Sequence, residues 1–240
     1  MATFVLVHGA FHGAWCWIKL VPELEARGHR AVAFDLPGGG DDPTPIEQVT
    51  LDGYVSRVAD VVARQPEPVI LVGHSLGGMT ITAAAERMPE RIRKLVYLCA
   101  FILRDGESLF TLIDPSAPKD SVPPKGSSWD IVFSPVPTEA APKMFYNGCL
   151  EADVAYALAR LRPQANAPRL TMVRLTPERF GRVPRAYIET TNDQAVSLET
   201  QRRMVANSPC APIRSLPTGH SPFFSAPAAL ADALADLARA

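Results

Sequence analysis

The sequence predicts an α/β fold built on a doubly wound, mostly parallel sheet, and three observations carry that prediction. Short apolar runs recur through the first hundred residues, helical patterns separate them, and the strand signal returns near the C-terminus. The runs are "TFVLVH" (3–8), "RAVAFDL" (30–36), "PVILVG" (68–73) and "KLVYLCA" (94–100). Unbroken apolar stretches of this length suit strands covered on both faces, as in a parallel sheet. Between them, "AWCWIKLVPELEARG" closes at Gly28, "LDGYVSRVADVVARQ" follows Thr50 and "MTITAAAERMPERI" follows a pair of glycines. Strands alternating with helices imply right-handed crossovers and helices on both faces of the sheet.

The alternation stops near Leu103. From about 104 to 183 the chain is rich in proline, with "DPSAPKDSVPPKGSSWD" and "SPVPTEAAPK" ahead of a helical "EADVAYALARLR". This stretch reads as an insertion, a cap on the sheet's edge, within one domain spanning 1–240. Strand patterns resume at "RAYIETT" (185–191) and "APIRSLP" (211–217), and "APAALADALADLARA" closes the chain as an amphipathic helix.

Composition narrows the function. With 240 residues, 47% of them hydrophobic, the chain can bury the core of one α/β domain. Its 24 basic and 25 acidic residues leave a net charge of −1 without a basic run, which disfavours nucleic acid and anionic membranes as partners. Small neutral ligands are the expected partners, with the protein a monomer or homodimer. The four cysteines are widely spaced and form no CxxC or metal-type motif, so no metal is expected. The N-terminus lacks a basic region ahead of its short apolar run, and a cytoplasmic protein is expected.

The chemistry centres on "PVILVGHSLGGMT", where Gly73-His74-Ser75-Leu76-Gly77 forms a G-x-S-x-G sequence between a strand and a helix. A serine at such a sharp turn needs strained backbone angles, and glycines two residues to either side leave room for helix and strand to approach. The hydroxyl is then presented above the strand's C-terminal edge, beside the N-terminus of the next helix.

Serine is a weak nucleophile without a base. Of five histidines, His220 in "LPTGHSPFF" follows the last predicted strand, at the sheet edge where open α/β folds build their sites. His74 adjoins Ser75, but a sharp turn directs its side chain elsewhere, which suits packing or orientation. Asp193, at the end of "AYIETTND", supplies the acid that orients the base and gives the order Ser, Asp, His along the chain. Asp105, after another strand, is the alternative; Asp35 also ends a strand, but precedes the serine in a turn-like "LPGGGDD". An oxyanion hole would take one amide from Leu76 and another from Ala10 in "HGAFHGAW".

Four stretches, "FVLVHGAFHGAWCWIKLVPELEARGHRAVAFDLPGGG", "VILVGHSLGGMT", "TPERFGRVPRAYIETTNDQAVSLETQRRM" and "GHSPFFSAP", resemble the α/β-hydrolase group that contains plant methylesterases and hydroxynitrile lyases. Bacterial esterases, including pyrethroid-hydrolase-like enzymes, belong to the same group. The resemblance implies Ser75 as nucleophile, His220 as base, Asp193 as acid and the amides of Ala10 and Leu76 as oxyanion hole. The lyases of the group carry threonine at Gly9 and lysine at Ser221, and both marks are absent here. The plant-like "GADHM" ending is replaced by "PTGHSPFF", nearer the bacterial esterases.

The function expected is that of a serine carboxylesterase, acting without cofactor on small hydrophobic or aromatic esters. The competing readings are a C–C lyase of the same fold and a non-catalytic ligand-binding protein. Phe11, Phe223, Trp129, Phe133, Phe145 and Tyr146 are the candidate pocket walls.

Overall fold

The computed structural model describes residues 1–239 apart from Pro115, Lys119 and Asp120, so those three members of the proline-rich stretch and the final Ala240 lie outside the described residues. The strands are β1 (Thr3–Val7), β2 (Arg30–Ala33), β3 (Val69–His74), β4 (Ile92–Leu98), β5 (Phe133–Ser134), β6 (Gln164–Ala165), β7 (Arg185–Thr190) and β8 (Ile213–Leu216). The helices of the first half are α1 (Leu20–Ala26), α2 (Leu51–Ala63), α3 (Gly77–Arg87) and α4 (Leu109–Ile113). Those that follow are α5 (Ala141–Tyr146), α6 (Glu151–Leu158), α7 (Ala167–Leu170), α8 (Leu198–Asn207), α9 (Pro222–Ser225) and α10 (Pro227–Arg239).

Six strands form one parallel sheet in the order β2-β1-β3-β4-β7-β8. The order reverses between β1 and β3, so the edge carrying the end of β3 is a topological switch point, where open sheets hold their ligands. Every residue of β3 is buried, as expected of a central strand covered on both faces, whereas the edge strands β2 and β8 carry exposed residues. One core layer packs Val58, Met79, Leu95 and Met204 beneath α2, α3 and α8. The other packs Trp17, Leu20, Val72, Leu234 and Leu237 beneath α1 and α10.

Several predicted elements are shorter in the structure, each for a local reason. The first helical pattern divides into a 3-10 turn at Ala14–Trp17 and α1, because Pro22 fits only the first turn of a helix. Pro89 stops α3 at Arg87, and Thr50 caps α2 by accepting the Gly53 amide. The fourth strand ends at Leu98, since Cys99 takes a left-handed φ of 37° and turns the chain so that the Phe101 N–H reaches the Ser75 carbonyl.

Between β4 and β7 the described residues add no strand to the main sheet. They form α4 to α7 and a separate antiparallel ribbon in which Phe133 pairs with Ala165 and Ser134 with Gln164. A Lys19–Asp153 ion pair at 2.7 Å ties α6 to the chain just ahead of α1.

Candidate active site

Ser75 sits at the turn from β3 to α3 with φ 51°, a left-handed conformation that a serine adopts only where its surroundings impose it. Those surroundings are backbone bonds. The Ser75 N–H donates to the Leu98 carbonyl at 3.2 Å, and the Ser75 carbonyl accepts from Gly78 and Phe101 at 3.0 and 3.1 Å. The flanking glycines are required by close approach. A Cβ on Gly73 would lie 2.7 Å from the Gly77 carbonyl oxygen, and one on Gly77 would lie 2.7 Å from that of Val7.

His220 and Asp193 meet at the same edge. The His220 Nδ1 lies 2.7 Å from the Asp193 Oδ2, with both side chains essentially buried. The carboxylate is fully engaged: its Oδ1 accepts the Ala195 and Val196 amides at 2.8 Å, and its Oδ2 also accepts the Thr190 hydroxyl at 2.8 Å. Burial pushes this carboxyl up, but the facing imidazole and these donors outweigh it and hold Asp193 below its ordinary value. Asp105 and Asp35, by contrast, are spent on the amides of Leu175 and Ala14, so Asp193 is the acid that the fold brings to His220.

Behind His220 lies His74, whose ring centroid is 4.6 Å from that of His220. Its Nε2 faces the His220 carbonyl at 2.9 Å and must carry the hydrogen, and the Cys99 thiol points at the same oxygen at 3.5 Å. The sequence spacing hid this convergence: ligand atoms of His74, Cys99 and His220 lie within 4.8 Å of one another. Their hydrogens are committed to the His220 carbonyl and to Asp193, which makes the cluster a support for the loop that carries His220. Burial drives His74 well below its ordinary pKa and the Cys99 thiol well above its own.

The turn after β1 is held from both sides. His8 accepts the Leu36 amide on Nε2 at 3.1 Å, so its Nδ1 carries the hydrogen and donates to the Gly9 carbonyl at 2.9 Å. A trans peptide directs its N–H opposite to its C=O, so fixing the Gly9 carbonyl also aims the Ala10 amide. His12 donates from Nδ1 to the Ala10 carbonyl at 2.7 Å and accepts the Tyr146 hydroxyl on Nε2 at 2.8 Å. Burial pushes His12 down to about 3, which keeps it neutral in this role. Phe11 follows with a left-handed φ of 65°.

The six candidate wall residues are distributed unevenly. Phe145 is set 6.0 Å from the His220 ring and 5.9 Å from that of Phe11, so it lies between the two. Tyr146 is buried and spends its hydroxyl on His12. Phe223 is wholly buried against Trp17 and His74, at 5.1 and 5.0 Å, where it supports the histidine from behind. Trp129 packs on Phe110 beneath the Arg169 guanidinium, and Phe133 is two-fifths exposed on the ribbon.

Comparison with known proteins agrees with this geometry. Residues 4–233 match the model of the alpha/beta hydrolase family. The chain belongs to that family. A putative chloroplastic methylesterase of Arabidopsis thaliana, methylesterase 14, is 36% identical over 98% of this chain and 72% of its own length. The pyrethroid hydrolase of Sphingobium wenxiniae is 32% identical over all of this chain and 89% of its own. Among solved structures, polyneuridine aldehyde esterase superposes with a TM-score of 0.88 at 28% identity, covering 99% of each chain. These hydrolase relatives support an esterase activity on small-molecule esters. The plant protein is the more identical of the first two over the whole chain. Among the described residues, no helix is long and apolar enough to cross a membrane.

Thr190, Gln201, His8 and His12 were not singled out from the sequence as parts of the site. Gln201 is fully buried, accepts the Thr190 amide and donates to the Thr190 and Val196 carbonyls, which fixes the turn holding Asp193. Its signal was a glutamine on the core face of α8, three residues before the buried Met204.

Proposed function

We propose that this hydrolase is a serine carboxylesterase acting on small hydrophobic or aromatic esters. Ser75 attacks the ester carbonyl while His220 takes its proton, Asp193 orients the imidazole and stabilises the imidazolium, and the amides of Ala10 and Leu76 receive the oxyanion. The alcohol leaves with the proton returned by His220. Water then attacks the acyl-serine by the same steps in reverse roles. The observation that carries this reading is the buried 2.7 Å contact between His220 and Asp193 at the same sheet edge as a left-handed Ser75.

The wall supports the substrate class. Phe145 beside His220, with the Phe11 ring 5.9 Å from its own, suits an apolar or aromatic acyl group, which is also in keeping with relatives named as methylesterases and a pyrethroid hydrolase. Packing at Gly9 argues against the lyase alternative. A Cβ there would stand 2.9 Å from both the His74 Nδ1 and the Ser75 Cβ, so the threonine of the lyases has no room beside this serine.

The test is hydrolysis of p-nitrophenyl esters graded from short aliphatic to aromatic, by wild type and Ser75→Ala side by side, with intact-protein mass measured during turnover. Turnover in wild type, its loss in the variant and an acyl adduct on wild type are expected. An inert wild type, or a variant equal to it, would overturn the reading.

A further inference from the structure

The segment between β4 and β7 does more than lie over the site. We propose that Gln164 and Tyr146, both in that segment, are positioning residues that hold the turn after β1 in the geometry an oxyanion hole requires. This inference rests on the esterase reading.

The peptide group joining Ala10 to Phe11 is bonded at both ends. Its carbonyl accepts from His12, which is itself held by the Tyr146 hydroxyl, and its N–H donates to the Gln164 Oε1 at 3.3 Å. The next peptide is bonded from the same segment, where the Arg162 N–H donates to the Phe11 carbonyl at 3.0 Å. Phe11 is left-handed, a conformation that costs a non-glycine residue energy, and these are the bonds that hold it there.

Gln164 is suited to this task because its orientation is fixed. Its Nε2 lies 2.9 Å from the Ala165 carbonyl, which can only accept, so that atom must be the nitrogen and Oε1 must face Phe11. The same nitrogen lies 3.1 Å from the Tyr54 hydroxyl of α2, which ties the side chain to the main fold. Gln164 is also buried, so a bond lost there is not made good by bulk solvent. Beside it, a cavity of about 10 Å³ is bounded by His8, Phe11, His12, Tyr54 and Gln164, too small for a side chain to swing through. With Phe11 released, the backbone one peptide along from the Ala10 amide is free to relax, and that amide is held on one side only, by the His8 bond to the Gly9 carbonyl.

The prediction separates transition state from ground state. Gln164→Met keeps the length and removes the acceptor; Tyr146→Phe removes one hydroxyl. Each is expected to lower kcat about tenfold with KM within twofold, since a donor aimed at the developing oxyanion acts only as charge appears. Affinity for a tetrahedral boronic acid adduct should fall by the same factor as kcat/KM, and so should the rate of fluorophosphonate labelling of Ser75. Urea unfolding reports the folded fraction, and rates are compared per folded molecule. Should Gln164→Met fail to fold, Tyr146→Phe carries the test alone. Unchanged kcat and boronate affinity in the folded variants, with an active wild type, would overturn this inference and leave the esterase reading intact. A wild type inert to every ester and to the fluorophosphonate would overturn both.

Discussion

Acid should destabilise this fold through histidines before its carboxylates take part. His12 is buried, neutral and held at about 3, against about 6.5 for an unfolded histidine. A base whose folded pKa is depressed contributes stability that is complete above the unfolded value and is lost as pH falls from 6.5 toward 3, because only the unfolded chain binds the proton. At pH 5 that loss from His12 alone is about 2 kcal/mol, and near pH 5.5 the slope is about 1.2 kcal/mol per pH unit. His8 and His74 are lowered by burial too and act in the same direction. Unfolded carboxylates, with values near 4, take up little proton in this window.

The groups facing His12 make its protonation costly. Burial strips the imidazolium of water, Nε2 would have to give up accepting from the Tyr146 hydroxyl, and His8 and His220 nearby disfavour a further positive charge. Urea unfolding followed by tryptophan fluorescence at half-unit steps from pH 8 to 5 measures the slope. Against a typical net stability of about 5–15 kcal/mol, a fall of 2 kcal/mol or more by pH 5 is readily resolved. His12→Gln, whose amide can still donate to Ala10, should flatten the slope by about 1 kcal/mol per pH unit. Stability that stays level between pH 7.5 and 5 in wild type would refute the reasoning, as would an unchanged slope in the variant.

Three further outcomes are expected. Asp193→Asn should lower kcat in ester hydrolysis by about 10³–10⁴ while leaving KM nearly unchanged, because the amide no longer favours the tautomer that the base requires; steady-state kinetics on a p-nitrophenyl ester decides this. Gly77→Ala places a Cβ 2.7 and 2.8 Å from the carbonyl oxygens of Val7 and His8, backbone atoms that cannot swing aside, and should cost at least about 2 kcal/mol in urea unfolding. Phe145→Leu should raise KM for aromatic esters more than for acetyl esters, because the ring beside His220 is removed while an apolar side chain remains; equal changes across the ester series would count against Phe145 as a wall.

What was legible in the sequence is what short-range patterning encodes. The strand at 69–74, the glycines around Ser75 and the strand-to-helix turn are written within a dozen residues, so the strand, the turn and the serine on it follow from local reading. Asp193 and His220 were reachable because each follows a strand, and strand ends converge on one edge whatever their separation along the chain. The bonds that aim these groups were not legible. Gln164 meets Phe11 across 153 residues and Tyr146 meets His12 across 134, through a segment whose proline-rich sequence carries no periodicity to place it. The aromatic side chains fared unevenly for the same reason: an apolar ring signals burial, but only tertiary packing decides whether it faces the site, as Phe145 does, or the core behind it, as Phe223 does.

The two halves of the site are therefore held by different physics. Ser75 is fixed chiefly by backbone amides and carbonyls of the sheet edge, groups that neither titrate nor change with side-chain substitution, and Asp193 takes two such amides on Oδ1 beside the Thr190 hydroxyl and the His220 ring on Oδ2. The turn carrying the Ala10 amide is fixed by imidazoles, a glutamine and a phenol, each dependent on one protonation state or one side chain. Single substitutions in that turn should thus disturb the Ala10 side first while Ser75 keeps its place. Activity should then be lost in kcat ahead of global unfolding, and the loss should follow the chain's contacts with the segment between β4 and β7, not the strength of the sheet.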